Sequence, residues 1–212
     1  MNATLVDRAT YRIVIAQSDH LLLEASELVA ERYKWRGYSV ETSRTTDVTY
    51  CAIDNKTSKI LATATLHSAR DVTDLYCHVA FRSETTRHAA LPGTRCVGEI
   101  IRLATAGHTI HAVGCLLHVI ALNAEALDVT SLFAEVNPRH VRFYRDMLGF
   151  QVIGSLRECK RAGAPAVLVH ALMHDIKHRL NKPKTGIYVF ALNSSEEKEV
   201  RLFFELEGAQ VP

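Results

Sequence analysis

The sequence is short of the features that mark specialised proteins. Among 212 residues there are one Trp, five Pro and five Cys. No two cysteines have C-x-x-C spacing and their number is odd, which argues against a disulfide framework or a thiolate zinc site. Cys51, Cys77, Cys96, Cys115 and Cys159 therefore read as reduced thiols. No charge dominates: 25 Lys and Arg against 23 Asp and Glu leave a formal net charge of +2. Such a balance lacks the basic face that nucleic acid demands, so no nucleic-acid partner is expected. No uncharged apolar run nears the roughly 20 residues that span a bilayer, so no integral membrane segment is expected. The opening MNATLVDRAT lacks the apolar stretch of a secretory signal, and the chain reads as cytoplasmic. What is present is a 48% hydrophobic, 23% charged composition, enough to bury a sizeable core.

Strand-like and helix-like segments alternate along the chain. Tyr11–Ala16 is β-rich, and Ser18 or Asp19 can cap a helix carrying Leu21, Leu22, Ala25, Leu28 and Val29 at helical spacing. That helix stops near Arg36-Gly37. Val48–Ile53 and Lys59–Leu66 flank the turn residues Asp54–Ser58, a hairpin. Residues 67 to 95 read as mixed helix and loop. Val97–Ala104 is a strand, leading through Gly107 to a helix with Ile110, Val113, Leu117 and Ile120 on one stripe. Leu132–Val136 is a strand. Asn137, Pro138 and Gly149 then bracket a helix as cap, first position and stop, with Val141, Tyr144 and Leu148 as its apolar stripe. Phe150–Ser155 and Pro165–Leu172 read as a last strand pair. Beyond them His174–Leu180 is a short helix, Gly186–Leu192 a strand, and Ser194-Ser-Glu-Glu197 a capping box opening a helix to about Leu206. The order predicts a mixed sheet with helices on its faces, an α/β or α+β layer fold.

This order resembles the GNAT acyltransferases, and particular residues sharpen the likeness. Asn137, Tyr144 and Leu148-Gly149-Phe150 are similar to the helix before the sixth GNAT strand. Glu99-Ile-Ile-Arg102-Leu-Ala104 resembles the E-x-x-R motif of acyl-homoserine-lactone synthases and N-acyl amino acid synthases. The stretch Val136–Phe150, Ala164–Val169 and Tyr33…Arg36-Gly37-Tyr38 resemble the second family most. The likeness implies a GNAT-like acyltransferase domain over residues 1–172, a mixed central sheet with helices on both faces, and a C-terminal extension over 173–212. It further implies transfer of a fatty acyl group from acyl carrier protein to the α-amine of an amino acid. No permanently bound cofactor is implied; the donor would be acyl-phosphopantetheine on its carrier protein, or acyl-CoA. The (Q/R)-x-x-G-x-(G/A) turn with which most GNAT enzymes hold the coenzyme A pyrophosphate does not fit Thr105–Gly114. That departure agrees with a carrier-protein donor. An acetyl-CoA-dependent small-amine acetyltransferase, an acyl-homoserine-lactone synthase and a non-catalytic GNAT-like module remain as alternatives.

Acyl transfer needs a deprotonated amine, a thioester held in line, a stabilised oxyanion and a leaving thiolate. Glu99, in an otherwise apolar strand, is the candidate base, since burial raises a carboxyl pKa toward a useful value. Its alternative role is an ion pair with Arg102 or another arginine. Residues 99 and 102 fall on opposite faces of a regular strand, so both can line one pocket only across a β-bulge. By resemblance a bulge is expected near Leu103–Thr105. The amides of Leu103, Ala104 and Thr105 would then meet the thioester carbonyl, and Arg102 would bind the acceptor's carboxylate. Tyr144 is the candidate acid for the thiolate or else a core tyrosine, and Glu135 is a reserve base or else an exposed strand residue. One residue more than the family pattern separates Tyr144 from Gly149.

Eleven histidines raise the question of a metal. His170, His174 and His178 are spaced by four, but His170 falls in a strand, and no metal site is expected. His108, His111 and His118 read as surface or helix-face residues. For an acidic carrier protein, Arg139, Arg142 and Arg145 offer a basic docking face, with Arg157, Lys160 and Arg161 nearby.

Overall fold

The computed structural model describes residues 2–39, 47–90, 93–107, 109–180 and 192–207. A mixed sheet runs in the order β1-β2-β3-β4-β5-β6-β9-β7, with β8 attached to β9. Its strands are β1 (Ala3–Asp7), β2 (Tyr11–Ile15), β3 (Val48–Asp54), β4 (Ile60–Ala69), β5 (Cys96–Thr105), β6 (Val129–Val136), β7 (Gln151–Val152), β8 (Arg157–Cys159) and β9 (Ala164–Leu172). Every pairing is antiparallel except β5 with β6, the two strands joined by a helical crossover.

Alternation along the strands feeds two faces. Val14, Cys51, Ile53, Ile60 and Ala104 pack against Leu21, Ala25, Leu28 and Val29 of α1 (Asp19–Lys34). Ile13, Ile15, Tyr50, Ala52, Ala64 and Ile100 face the other way, toward α3 (Ile110–Ala126). The α3 helix is buried almost all round, from Ala112 to Ala124, although the sequence suggested a single stripe. The reason lies at the end of the chain: α5 (Met173–Leu180) and α6 (Ser194–Glu207) cover its outer side, adding Met173, Ile176, Val200 and Phe204 to the same core. Arg8 fixes α6 to the β1–β2 turn through two bonds of 2.7 Å to Glu196.

Most of the expected elements are present, with informative differences. Ser18 caps α1, its hydroxyl accepting from Leu21 N–H at 3.3 Å. The α6 cap lies one residue earlier than expected: Asn193 Oδ1 accepts from the Ser195 and Glu196 N–H groups, and Glu196 accepts from Asn193 N–H. The box is thus Asn193…Glu196, since the longer carboxamide reaches the free amides and leaves Ser194 as the first helical residue. The mixed region holds the end of β4, two short 3₁₀ turns (Val72–Asp74 and Tyr76–Val79) and α2 (Arg82–Ala89). Strands β1 and β8 have no counterpart in the sequence reading. The strand expected over 186–192 lies outside the described residues but for Leu192, whose N–H donates to His118 Nδ1 at 3.1 Å. His118 is accordingly buried rather than at the surface. No helix among the described residues is long and apolar enough to cross a membrane.

Candidate active site

The parallel pair at the centre of the sheet is zipped at one end only. Cys96, Val97, Gly98 and Glu99 pair with Val129, Ser131, Leu132 and Phe133. Beyond Glu99, the residues of β5 pair with β4 alone and those of β6 with β9 alone. The two strands therefore part, and the β5 edge of the gap carries backbone groups that β6 does not engage.

On the β5 side the chain is irregular. Thr65 pairs with Ile101 and Thr63 with Ala104, so two residues of β5, Arg102 and Leu103, stand opposite one of β4. This bulge begins slightly before the expected Leu103–Thr105, because Arg102 itself takes the left-handed backbone, φ 56°. That conformation costs a non-glycine residue about 1 kcal/mol, a strain typical of functional segments. Arg102 reaches Ser26 of α1 at 2.9 Å rather than Glu99, and Leu103, Ala104 and Thr105 follow on the strand whose other edge is the gap.

Glu99 lies at the fork, fully buried. Its Oε2 accepts from the Cys77 backbone N–H at 3.0 Å, and its Oε1 meets Arg161 Nη2 at 3.1 Å. The same Nη2 lies 3.0 Å from Glu135 Oε2, which also accepts from the Cys159 thiol at 3.3 Å. Burial pushes the Glu99 carboxyl above its ordinary value; Arg161 pulls it down, and Glu135 pushes it up again. The guanidinium of Arg161 stacks over Tyr76 at 4.4 Å. Tyr76 in turn donates to Asp47, which also holds His67 at 2.7 Å. His67 is the cross-strand neighbour of Glu99, so a continuous polar network runs under the fork.

The structure brings together Glu99, Glu135 and Arg161, a trio that no sequence spacing connects. Arg161, which the sequence places beside the basic docking residues, instead closes the carboxylate pair from the turn between β8 and β9. Glu135 is enclosed beside it rather than exposed, because β9 and that turn cover it. Arg157 is likewise engaged, with Glu84 and the Ala80 carbonyl, leaving Lys160 as the exposed one of these three basic residues.

Tyr144 begins a π-helical turn, Tyr144–Leu148, after a 3₁₀ turn capped by Asn137 and the short α4 (Val141–Phe143). This wide turn absorbs the extra residue before Gly149, which closes it at φ 78°. Tyr144 points into the core, edge-on to Phe143 and Phe150 at 5.6 and 5.7 Å. Burial, with Tyr33 close by, raises its phenol pKa, so it holds its proton firmly. Arg142 and Arg145 both pair with Asp146, at 3.2 and 3.0 Å, and Arg139 contacts His140. His174 and His178 stack on the exposed side of α5, while His170 is held by Ser131 at 3.2 Å. Among the described residues no three His, Cys, Asp or Glu side chains are grouped to hold a metal ion.

A fork between central strands, a bulge beside it and a buried carboxylate at its vertex can seat a thioester beside an amine. The comparisons with known proteins agree in kind. FeeM, an N-acyl amino acid synthase from uncultured soil microbes, superposes with a TM-score of 0.69 at 18% identity, over 80% of this chain and 93% of that one. The AHL synthase LasI gives 0.55 at 14% identity, over 87% and 96%. A putative N-acetyltransferase from Lactobacillus plantarum gives 0.55 at 17% identity, over 77% and 99%. These likenesses establish the GNAT-like fold. No curated protein sequence matches the chain. The family model of the N-acyl amino acid synthase FeeM matches residues 24–172, which include the fork, the bulge and Arg161. The chain is an acyltransferase and belongs to the FeeM family of N-acyl amino acid synthases.

Proposed function

We propose that the protein moves a fatty acyl group from the pantetheine thioester of an acyl carrier protein onto the α-amine of an amino acid. The observation that carries this reading is the opening of β5 from β6 directly beyond a buried carboxylate. The pantetheine arm would enter the gap, with its thioester carbonyl against the amides of Leu103–Thr105. Glu99 takes a proton from the acceptor's ammonium, and the amine then attacks the thioester carbon. The oxyanion is held by the strand amides until the C–S bond breaks. Of the two protons left on the nitrogen, one goes to the departing thiolate, directly or through the Tyr144 hydroxyl, and the other stays as the amide N–H; Glu99 returns its proton to solvent. Arg102, the first residue of the bulge, is the first candidate for the acceptor's carboxylate.

A carrier-protein donor is favoured over coenzyme A by the start of α3. Thr109 precedes that helix, yet its hydroxyl donates to the Leu61 carbonyl at 3.3 Å and caps no helix amide. With no glycine-rich cradle in Thr105–Gly114, the pyrophosphate of coenzyme A has little to hold it. Arg139, Arg142 and Arg145 supply an exposed basic surface for an acidic carrier, moderated by Asp146.

The test is mass spectrometry of organic extracts from cells expressing the wild type and Glu99→Gln. Long-chain N-acyl amino acids should accompany the wild type and fall at least about 100-fold in the variant, the usual worth of a general base. Acyl-homoserine lactones, acetylated amines, or equal products from both proteins would overturn the reading.

A further inference from the structure

One nitrogen of Arg161 sits between two buried carboxylates. Its Nη2 is 3.1 Å from Glu99 Oε1 and 3.0 Å from Glu135 Oε2, a position that any N–H cation would fill. The rest of the guanidinium is poorly employed. Nε is buried and, among the described residues, has no hydrogen-bond partner; the flat face lies on Tyr76. Glu99 is fully buried and Glu135 is 5% exposed, whereas the Arg161 side chain is 21% exposed. Arg161 therefore stands between the carboxylates and solvent, on a short turn that ends at Gly163, φ 56°.

We infer that Glu99 and Glu135 form the seat of the acceptor's α-ammonium, and that Arg161 is a resident cation which yields this seat and then binds the acceptor's α-carboxylate. The inference rests on the acyl-transfer reading above, and it assigns to Arg161 the task first given to Arg102. Charge pairing supports it. With the site empty of substrate, one guanidinium offsets two carboxylates. An incoming zwitterion puts its ammonium where Nη2 was, and its carboxylate, one carbon away, meets the displaced planar fork. Every charge keeps a partner. A plain amine would displace Arg161 and give it nothing in return, so the site selects amino acids over amines of the same side chain. The ammonium is delivered to Glu99, the group that removes its proton, while Cys77 N–H holds the other oxygen of Glu99 and the Cys159 thiol helps fix the Glu135 oxygen that faces the seat.

The experiment measures kcat/KM for an amino acid acceptor and for its decarboxylated amine, with an acyl-pantetheine thioester as donor. The acceptor is first chosen from the twenty amino acids. Wild type should prefer the amino acid by roughly 100-fold or more, as sites built around a charged group do. Arg161→Gln should bring that preference to within about tenfold, and Arg161→Lys, which keeps the charge but not the fork, should fall between. Because both acceptors share Glu99, a changed proton affinity there alters both rates alike and leaves their ratio intact. Glu135→Gln should raise KM for both acceptors while keeping the ratio. Melting curves identify a variant that fails to fold, in which case Arg161→Lys carries the test. Undiminished preference in folded Arg161 variants, or no preference in wild type, overturns the inference alone. Failure of wild type to acylate any amine overturns the acyl-transfer reading itself.

Discussion

Glu99 and Phe133 form the last rung that joins β5 to β6. The side chain that begins the fork is thus also the buried acid, and the next two residues of β5, Ile100 and Ile101, lead into the bulge. Gly98 lies one rung before. A Cβ there would stand 2.8 Å from Leu132 Cδ2 and 3.1 Å from Val129 Cγ1. Gly98→Ala should therefore lower stability by about 1–3 kcal/mol through overpacking. Wedging the paired end of the strands should also reduce activity more than the stability loss explains. Urea melts and a thioester assay on the folded fraction check both.

The acidity of Glu99 gives a pH prediction. Burial first, and Glu135 second among the raising effects, lift its pKa, while Arg161 lowers it. A base works only when deprotonated. The acid limb of kcat/KM should accordingly lie above the ordinary glutamate value of about 4.3. Removing the restraining cation in Arg161→Gln should move this limb to still higher pH. A limb that moves downward, measured with the carboxylate-free amine as acceptor, would contradict the arrangement.

His170 should make stability depend on pH. Burial, with the His88 ring tilted against it at 4.6 Å, lowers its pKa from 6.5 to about 4. Between those values the unfolded chain binds a proton that the folded one refuses. Stability is therefore full above pH 6.5 and declines toward pH 4, by about 3 kcal/mol at most. His170→Gln should flatten that part of the curve in urea denaturation, with His88 and Asp175 unaltered.

The position of the α6 cap is testable by a pair of alanines. Asn193→Ala should cost about 1 kcal/mol, whereas Ser194→Ala should cost a few tenths at most. The reverse order in urea denaturation would restore the box to Ser194.

The fold was largely legible because its signals are local. Ser18 before Leu21, the Asp54–Ser58 turn and Gly149 after Leu148 each act within a few residues. The missing pieces lack such signals. β1 is a five-residue edge strand, and β8 is short and polar because it pairs on one side only. The burial of α3 all round required α5 and α6, which return from the far end of the chain. In the site, Glu99 stood out as an acid in an apolar strand, and the bulge was expected from the family resemblance, the spacing of 99 and 102 showing only that a shared pocket requires one. Arg161 did not stand out, since an arginine in a loop of like charges reads as solvated.

The chain's own order of residues determined the elements, the two faces of the sheet and the presence of a costly carboxylate at position 99. Each of these depends on periodicity or on a neighbour close along the backbone. Only the tertiary structure decided where that carboxylate finds its counter-charge, because Glu99, Glu135 and Arg161 come from β5, β6 and a hairpin turn. Coulombic partnership depends on distance through space, and a linear sequence does not contain that distance.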